Sequence, residues 1–461
     1  MKKPKVKYQF SVKKVEELDR LSHEELLEYV KNLTNNLVRE KPPKNSSNSS
    51  IPPSSEIAPP KPKKNQSLRS SGGKNGGQFG HKGTTLEQTQ TPDEIVDIPY
   101  TTKTCKSCGF NLEDTLATLK ERRQILDLDL KETMKKITQY QSYSKICPNC
   151  GEENHDNAYP SFVAPYISYG RNVMALVAYL GTVHYISYKR IVQTLQTIYG
   201  LSISEGTVDN LIKRAGKLSS FEMKNIASQL EMSDMVGIDE TGARVNGAKY
   251  WHWVFQNDTC TYIVADKSRG TRVIDDHFEE GFVNAVVVHD NFSSYNKLIA
   301  KEEQLCLAHK LRDINYAIEC DDTLLMKDMK CLIQEAMRDH RHDLTPEQRV
   351  ILKQQYEQAF DYLINKPVIA KSETDKQIRS LTRAREKIFT FLLYPNVPPD
   401  NNGSERAIRN IKVKLKVSGQ FKSEQGAKDY ATLRSIVDTA RKRKMNEFEA
   451  IRDIVGGERV F

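Results

Sequence analysis

Three carboxylates stand where metal-dependent chemistry could be built. Asp239 closes a short apolar run, residues 235–238, and Asp290 closes a longer one, residues 283–289. Both runs read as strands, and the second, nearly unbroken, reads as a strand buried on both faces. Ligand chemistry in open α/β sheets collects at the carboxyl ends of strands, so two neighbouring strands of this kind would bring Asp239 and Asp290 side by side. Adjacent carboxylates repel unless a cation lies between them. Hard oxygen donors suit Mg²⁺, which keeps positions open for phosphate, and two such ions can activate an attacking oxygen and stabilise a leaving one. The plainer reading is that each Asp caps a loop. A third acid, Glu405, falls in the first turn of a helix announced by Pro398-Pro399-Asp400-Asn401-Asn402. Arg409, one turn on, shares its face and could hold a phosphate; Lys412 and Lys414 are further candidates for phosphate contact. Glu405 also fits a capping box with Asn402, and spacing alone does not choose between ligand and cap.

A second set of side chains points to a different metal. Cys105-x-x-Cys108-Gly109 and Cys147-Pro148-x-Cys150-Gly151 are two knuckles with 38 residues between them. Four thiolates at this spacing suit a closed tetrahedral Zn²⁺ site, which is structural because it leaves no open position. The Gly after each pair permits the turn that aims backbone N–H groups at the sulfurs. Residues 122–130 and 136–146 read as strands, so a zinc ribbon is expected. Cys306-x-x-His309 could also ligate a metal, but one pair is a weak signal, and a buried thiol with a loop imidazole is the plainer reading.

These groups need a scaffold. Around the first two acids, Asn246-Gly247 is a strong two-residue hairpin signal. It separates an aromatic-rich strand, residues 248–256, from the run ending at Asp239. Asn257-Asp258 marks another turn before a strand over 261–265, a helix is expected over 271–280, and a fifth strand over 304–309. Three antiparallel strands, a crossover helix and a fourth strand parallel to the first make an α/β layout. Residues 311–394 read as about three helices of mixed charge, with breaks near 343–346 and 366–373, inserted before the segment that carries Glu405. Upstream, residues 188–199, the Gly200 break and residues 204–217 resemble a helix-turn-helix, with Ser204 as N-cap. Its second helix would expose Asp209, Asn210, Lys213 and Arg214, and the last two are candidate DNA contacts. A helix over residues 15–40 carries Leu26, Val30, Leu33 and Leu37 at zipper-like spacing, or is simply amphipathic.

The chain has 461 residues and a net charge of +9, unevenly placed. Residues 41–90 hold eight Lys/Arg against two Glu, so most of the excess lies in a Pro-, Ser-, Asn- and Gly-rich stretch that cannot bury a core. A basic arm on a mildly basic body suits a polyanion. Mean hydropathy is −0.60, and no apolar run approaches the roughly 18 residues that span a bilayer. The first ten residues lack the apolar core of a signal peptide. The expectation is a cytoplasmic protein with no membrane partner, whose eight Cys are reduced or metal-bound.

Taken together, residues 45–55, GGQFGHKG at 76–83, the two Cys knuckles, GIDETGARV, VVHDNFSSYN, CLAHKLRD and NNGSERAIRNIKVKLKVSGQF make the chain similar to the transposases of the insertion sequence 66 family, a group of bacterial DDE transposases. The resemblance implies an RNase H-like core with a helical insertion before the last acid. It implies Asp239, Asp290 and Glu405 as a triad for Mg²⁺ (or Mn²⁺): the first matches a strand followed by D-E/D-T, the second D-x-x-x-x-Y, the third N-N-x-x-E-R. It also implies double-stranded DNA as partner, both element ends and target, a homodimer or higher oligomer, and accessory proteins from the same element.

The expected fold class is therefore α/β: an RNase H-like catalytic core with an all-helical insertion, preceded by a zinc ribbon, a helix-turn-helix-like region and an N-terminal helix. The expected parts are a zipper-like helix (1–40), a basic linker (41–90), a four-cysteine zinc-binding domain (91–160), a helical DNA-binding region (161–230) and a catalytic domain (231–461) with its insertion at about 311–395. The expected function is Mg²⁺-dependent cleavage and strand transfer at terminal inverted repeats. The alternatives are a domesticated, non-catalytic DNA-binding protein and a DDE-type nuclease without strand transfer.

Overall fold

Local sequence signals account for most element boundaries in the computed structural model, which describes residues 6–8, 18, 21–39, 86–129, 134–155, 159–160, 163 and 167–461. The basic stretch 41–82 and the string 76–83 lie outside the described residues. The chain forms two compact units: residues 66–285, 294–299 and 402–461 make one, and residues 1–65, 286–293 and 300–401 the other.

Near the N-terminus β1 (Val6–Tyr8), α1 (His23–Asn36) and β2 (Leu37–Arg39) follow one another, with β1 and β2 paired antiparallel. Ser22 and Glu25 exchange hydrogen bonds as a capping box that starts α1. Leu37, expected at the end of the zipper seam, instead begins β2 opposite Tyr8, because strand pairing claims it one residue after the helix stops.

The Cys knuckles flank a long hairpin of β4 (Thr118–Asp129) and β5 (Met134–Ile146). With β3 (Glu94–Asp97), β6 (Glu153–His155) and β7 (Ile167–Tyr169) these form a sheet of order β3-β5-β4-β7, with β6 on β5. Three helices follow: α2 (Arg171–Thr182), α3 (Tyr188–Tyr199) and α4 (Glu205–Glu231). Gly200 closes α3 at φ +60, and Ser204 caps α4 by accepting from the Thr207 N–H at 3.1 Å. The second helix of the expected helix-turn-helix runs well past residue 217, because Ser219, Glu222, Ile226 and Leu230 continue its buried stripe.

Next, β8 (Met235–Val245) and β9 (Ala248–Gln256) pair from Gly237↔Gln256 to Val245↔Ala248. The turn between them has Asn246 and Gly247 both at positive φ, +46 and +80, as a type I′ hairpin requires. β10 (Thr261–Asp266) continues the meander, and α5 (Arg272–Asp275) is one turn, shorter than the helix expected over 271–280. β11 (Phe282–His289) begins in the same unit, where the strand order is β10-β9-β8-β11, and ends in the other, beside β12 (Ala300–Leu305).

The expected helical insertion holds four helices: α6 (Leu307–Asp321), α7 (Leu324–Asp339), α8 (Pro346–Ile364) and α9 (Glu373–Arg383). The extra break is at Asp322, in the left-handed region at φ +50, followed by Thr323, whose hydroxyl caps α7. Thr345 and Ser372 cap α8 and α9, the former in a capping box with Gln348.

The first unit closes with α10 (Asn402–Ser418), α11 (Glu424–Lys442) and α12 (Glu447–Val455). α11 is buried along most of its length against α4, β10 and α12. Its Thr439 and Ser435 hydroxyls accept from the Thr261 and Ile263 N–H groups at 3.1 and 2.8 Å. They satisfy the outer edge of β10, which would otherwise present unpaired donors. The protein is thus mixed α/β with two five-stranded sheets and many helices. Among the described residues no helix is long and apolar enough to cross a membrane.

Candidate active site and metal centre

Asp239 is the fifth residue of β8, opposite Val254 of β9, and is half-buried. The strand does not end on it, as its apolar run suggested, because pairing with β9 continues to the Asn246-Gly247 turn. Its Oδ1 accepts the Glu240 N–H at 2.9 Å. From α10, the Lys412 ammonium donates to the Gly242 carbonyl at 3.2 Å. Burial pulls the Lys412 pKa down, and the Asp239 carboxylate works against that pull. One half-buried cation therefore lies within electrostatic reach of the first acid.

Glu240, the next residue, points into the fold. Its side chain is 1% exposed, and Oε1 accepts from Arg269 Nε at 2.9 Å and Nη2 at 2.6 Å. Its Oε2 accepts from the hydroxyl of the buried Tyr295. The Arg269 guanidinium lies 4.4 Å over the Trp251 ring. Its backbone carbonyl accepts from Ser294 Oγ at 2.8 Å. A buried carboxylate is tolerated here because charge-assisted hydrogen bonds reach both its oxygens. Glu240, Arg269 and Tyr295 were not among the expected functional residues. The signals were present in the D-E-T and D-x-x-x-x-Y strings, but their meeting is a tertiary fact.

In the other unit, Asp290 follows the last residue of β11. Its Oδ1 accepts the Phe292 N–H at 3.0 Å across Asn291, which sits at φ +73. His289 is buried; its Nδ1 accepts the Asn291 N–H at 3.1 Å, and its Nε2 lies 2.8 Å from Glu303. Glu303 also receives Lys387 at 2.7 Å. Burial alone would raise its pKa, but hydrogen bonds from His289 and Lys387 outweigh that and hold it low.

Cys306 is the N-cap residue of α6, and His309 lies in the first turn of that helix, where a strand was expected. Strand β12 stops at Leu305: Cys306 still donates its N–H to the His289 carbonyl of the neighbouring β11 at 2.8 Å, and as N-cap it starts α6 at Leu307. The buried Cys306 sulfur accepts the Asn401 N–H at 3.2 Å, and Leu307 N–H donates to Pro399 O at 2.9 Å. Cys306 thus ties the residue before Asp290, through its N–H, to the loop that precedes the third acid, through its sulfur.

Glu405 is half-buried in the first turn of α10, whose first residue is Asn402. α10 packs on β8 and β9, with Ala407 and Ile411 in one cluster with Ala243, Val245, Tyr250 and Val254. The small pair before Glu405 has a steric reason. A Cβ on Gly403 would come within 2.5 Å of Gln256 Nε2, and Ser404 is fully buried. Gln256 is itself held by Lys442, whose ammonium also donates to the Asn257 and Cys260 carbonyls. The inward phase set by Ala407, Ile411 and the partly buried Ile408 and Leu415 leaves Arg406, Arg409 and Lys416 exposed. Lys412 and Lys414 are half-buried, and the Lys414 ammonium lies 5.9 Å from both the Tyr188 and Tyr430 rings. Helical phase would have nominated Arg406 and Lys416 in the sequence.

On α4, Asn210 is exposed, whereas Asp209, Lys213 and Arg214 are half-buried, and Lys213 pairs with Asp209 at 2.6 Å. Gly216 lets α4 approach α11 closely, since a Cβ there would come within 2.8 Å of Asp429.

The structure brings the four knuckle cysteines together. The sulfurs of Cys105, Cys108, Cys147 and Cys150 all lie within 4.8 Å of one another, with Cys105–Cys150 and Cys108–Cys147 both at 3.5 Å. A tetrahedral Zn²⁺ with bonds of about 2.3 Å sets its sulfurs about 3.8 Å apart, so this donor set fits. Gly109 and Gly151 sit at φ +76 and +73, as the turns after the knuckles demand. Burial disfavours the Cys105 thiolate, yet N–H groups of Cys108 and Ser107 and the Asn154 amide outweigh it and draw its pKa to about 6.

A family model described as Transposase IS66 family matches residues 167–429, more than half of the chain. The match runs from β7 into α11 and takes in Asp239, Asp290 and Glu405, with the strings that contain them. No curated protein matches the chain. On the extent of that match, the protein belongs to the IS66 family of transposases.

Proposed function

We propose that the protein is a Mg²⁺-dependent DNA transposase with an RNase H-like core, which binds the ends of its element, cuts there and joins the freed end to target DNA. Asp239, Asp290 and Glu405 are the metal ligands. The observation that carries this reading is the family match, which spans all three acids, each in an intact motif. The donor chemistry agrees, since three carboxylates are the hard oxygen set that Mg²⁺ takes.

When bound, Mg²⁺ supplies Lewis acidity to the attacking water or hydroxyl and to the departing oxygen. The protein supplies the rest. Asp239, Asp290 and Glu405 hold the charge. Glu240, Arg269 and Tyr295 brace the strand that carries Asp239. The exposed cations of α10 hold phosphates, Arg406 and Arg409 near Glu405 and Lys416 about three turns further on. Hydrolysis of a phosphodiester at the element end frees a 3′-OH; that hydroxyl then attacks a target phosphodiester, and a 3′ oxygen leaves. Zn²⁺ on Cys105, Cys108, Cys147 and Cys150 is structural. Pairing of two ends calls for a dimer or higher oligomer.

The test is cleavage of labelled DNA carrying the element end, with Mg²⁺, by the parent and by Glu405→Gln. Nicking at the end by the parent, with binding but no nicking by the variant, supports the triad. Normal cutting by the variant makes Glu405 a helix cap. Cutting without joining to target DNA makes the protein a nuclease, and binding without cutting makes it a non-catalytic DNA-binding protein.

A further inference from the structure

The helical insertion carries a cationic surface that the proposed chemistry has not yet used. On α9, Lys376, Arg379, Thr382 and Arg383 line an open cavity of about 490 Å³. These four are exposed, while Thr374, Ile378 and Leu381 face inward and bury the opposite side of the helix. The acids of the same helix are turned away from solvent. Glu373 is 8% exposed at its side chain and takes Lys376 at 2.9 Å; Asp375 is 15% exposed and takes Arg379 at 2.8 Å and the Lys371 N–H at 2.7 Å. Lys376 and Arg379 thus stay exposed while each pairs with an acid of their own helix whose side chain is mostly buried.

This surface and the second acid belong to the same unit. Beneath it, Lys310 is buried with its ammonium 3.4 Å from Ser380 Oγ. Burial lowers the Lys310 pKa, the Asp313 and Asp290 carboxylates oppose that, and the Arg383 guanidinium reinforces it. Arg383 and Asp290 thus act on one ammonium from within the same unit. The cationic face runs along α9, from Lys376 to Arg383.

We infer that α9 is a DNA-backbone contact: Lys376, Arg379 and Arg383 hold phosphates of the duplex. This rests on the transposase reading for the identity of the polyanion. The geometry suits a duplex. From Lys376 to Arg383 is about 10 Å along a helix axis, close to the roughly 12 Å width of the B-DNA major groove, so its cations can meet phosphates on both rims. The contact reads no sequence, because arginine and lysine on phosphates position the duplex without touching base edges.

The experiment measures affinity of the full chain for a labelled duplex of random sequence over a range of salt concentrations. Each phosphate ion pair lost makes the log K against log salt slope shallower by about 0.9. The triple variant Lys376→Gln/Arg379→Gln/Arg383→Gln is expected to lose up to about 2.7 of slope, and Arg383→Gln alone about 0.9, with unchanged thermal unfolding. The charge-keeping variant Lys376→Arg/Arg379→Lys/Arg383→Lys retains the parent slope. If the triple variant folds and keeps the parent slope while the parent binds steeply, the α9 contact is wrong and the transposase reading stands. In that case Arg406→Gln/Arg409→Gln/Lys416→Gln on α10 is the variant that flattens the slope. If the parent shows no salt-dependent duplex binding, both readings fall. The single variant keeps the test open should the triple variant fail to fold.

Discussion

The hydroxyl of Tyr295 donates a hydrogen bond to Glu240 Oε2 deep in the larger unit, joining the residue after the first acid to the residue five places after the second. Arg269 completes the arrangement on the other carboxylate oxygen. A hydrogen bond to a buried charged group contributes about 1.5–3 kcal/mol. Tyr295→Phe is therefore expected to lower stability by about that amount and to slow DNA cleavage, while duplex affinity stays near the parent value. Urea unfolding and single-turnover cleavage check this. Unchanged stability would mean the hydroxyl does not carry the buried charge.

Gly403 gives a steric prediction. Its substitution by Ala places a methyl against Gln256, which cannot swing freely because Lys442 holds its carbonyl oxygen at 2.7 Å. Overpacking of this kind costs about 1–3 kcal/mol. Gly403→Ala should lower stability and cleavage together, and adding Gln256→Ala should restore part of both. A double-mutant cycle measures the coupling, and strict additivity would show that the two residues do not meet.

For the cysteine site, purified protein is expected to carry one zinc per chain, measured by elemental analysis. Cys105→Ser and Cys147→Ser, which remove the two buried thiols of the cluster, should each lose it. A closed site contributes to folding rather than to chemistry, so the variants should melt at lower temperature in the hairpin of β4 and β5. Full zinc content in both variants would move the site elsewhere.

His252 predicts a pH dependence. It is fully buried on β9, with neither ring nitrogen hydrogen-bonded among the described residues, against the Phe421 ring at 5.2 Å. Burial, helped by the Lys412 charge, pushes its pKa down to about 4 from the ordinary 6.5. Between these values the unfolded chain binds a proton that the folded chain excludes. The stability contribution is complete above pH 6.5 and is lost as pH falls toward 4, by roughly 3 kcal/mol. His252→Phe should flatten that part of the stability profile; an identical acid limb in the variant would assign the loss to other groups.

Much of the fold was legible in the residues. The Asn246-Gly247 turn, the Gly200 break, the Ser204 cap and the spacing of the Cys knuckles each depend on one or two residues whose backbone preference is strong, and each stands where the sequence puts it. Other boundaries went differently for local reasons that no periodicity exposes. Strand β12 stops before Cys306 because that residue caps α6, which starts at Leu307. Leu37 leaves the helix because a strand partner is available.

The sequence by itself determined the α/β character, the zinc-type donor set and, through motif resemblance, the family and the three acids worth testing. Tertiary structure decided what those motifs do to one another. Helical phase groups the α10 cations in the sequence, and packing on β8 and β9 decides which side turns inward, leaving Lys412 and Lys414 half-buried and Arg406 and Lys416 exposed. Only packing makes Glu240 a buried brace and brings the Cys306 sulfur to the Asn401 N–H. The reason is physical: spacing along the chain fixes which atoms are available, whereas burial and hydrogen-bond partners far apart in sequence fix their charge and direction.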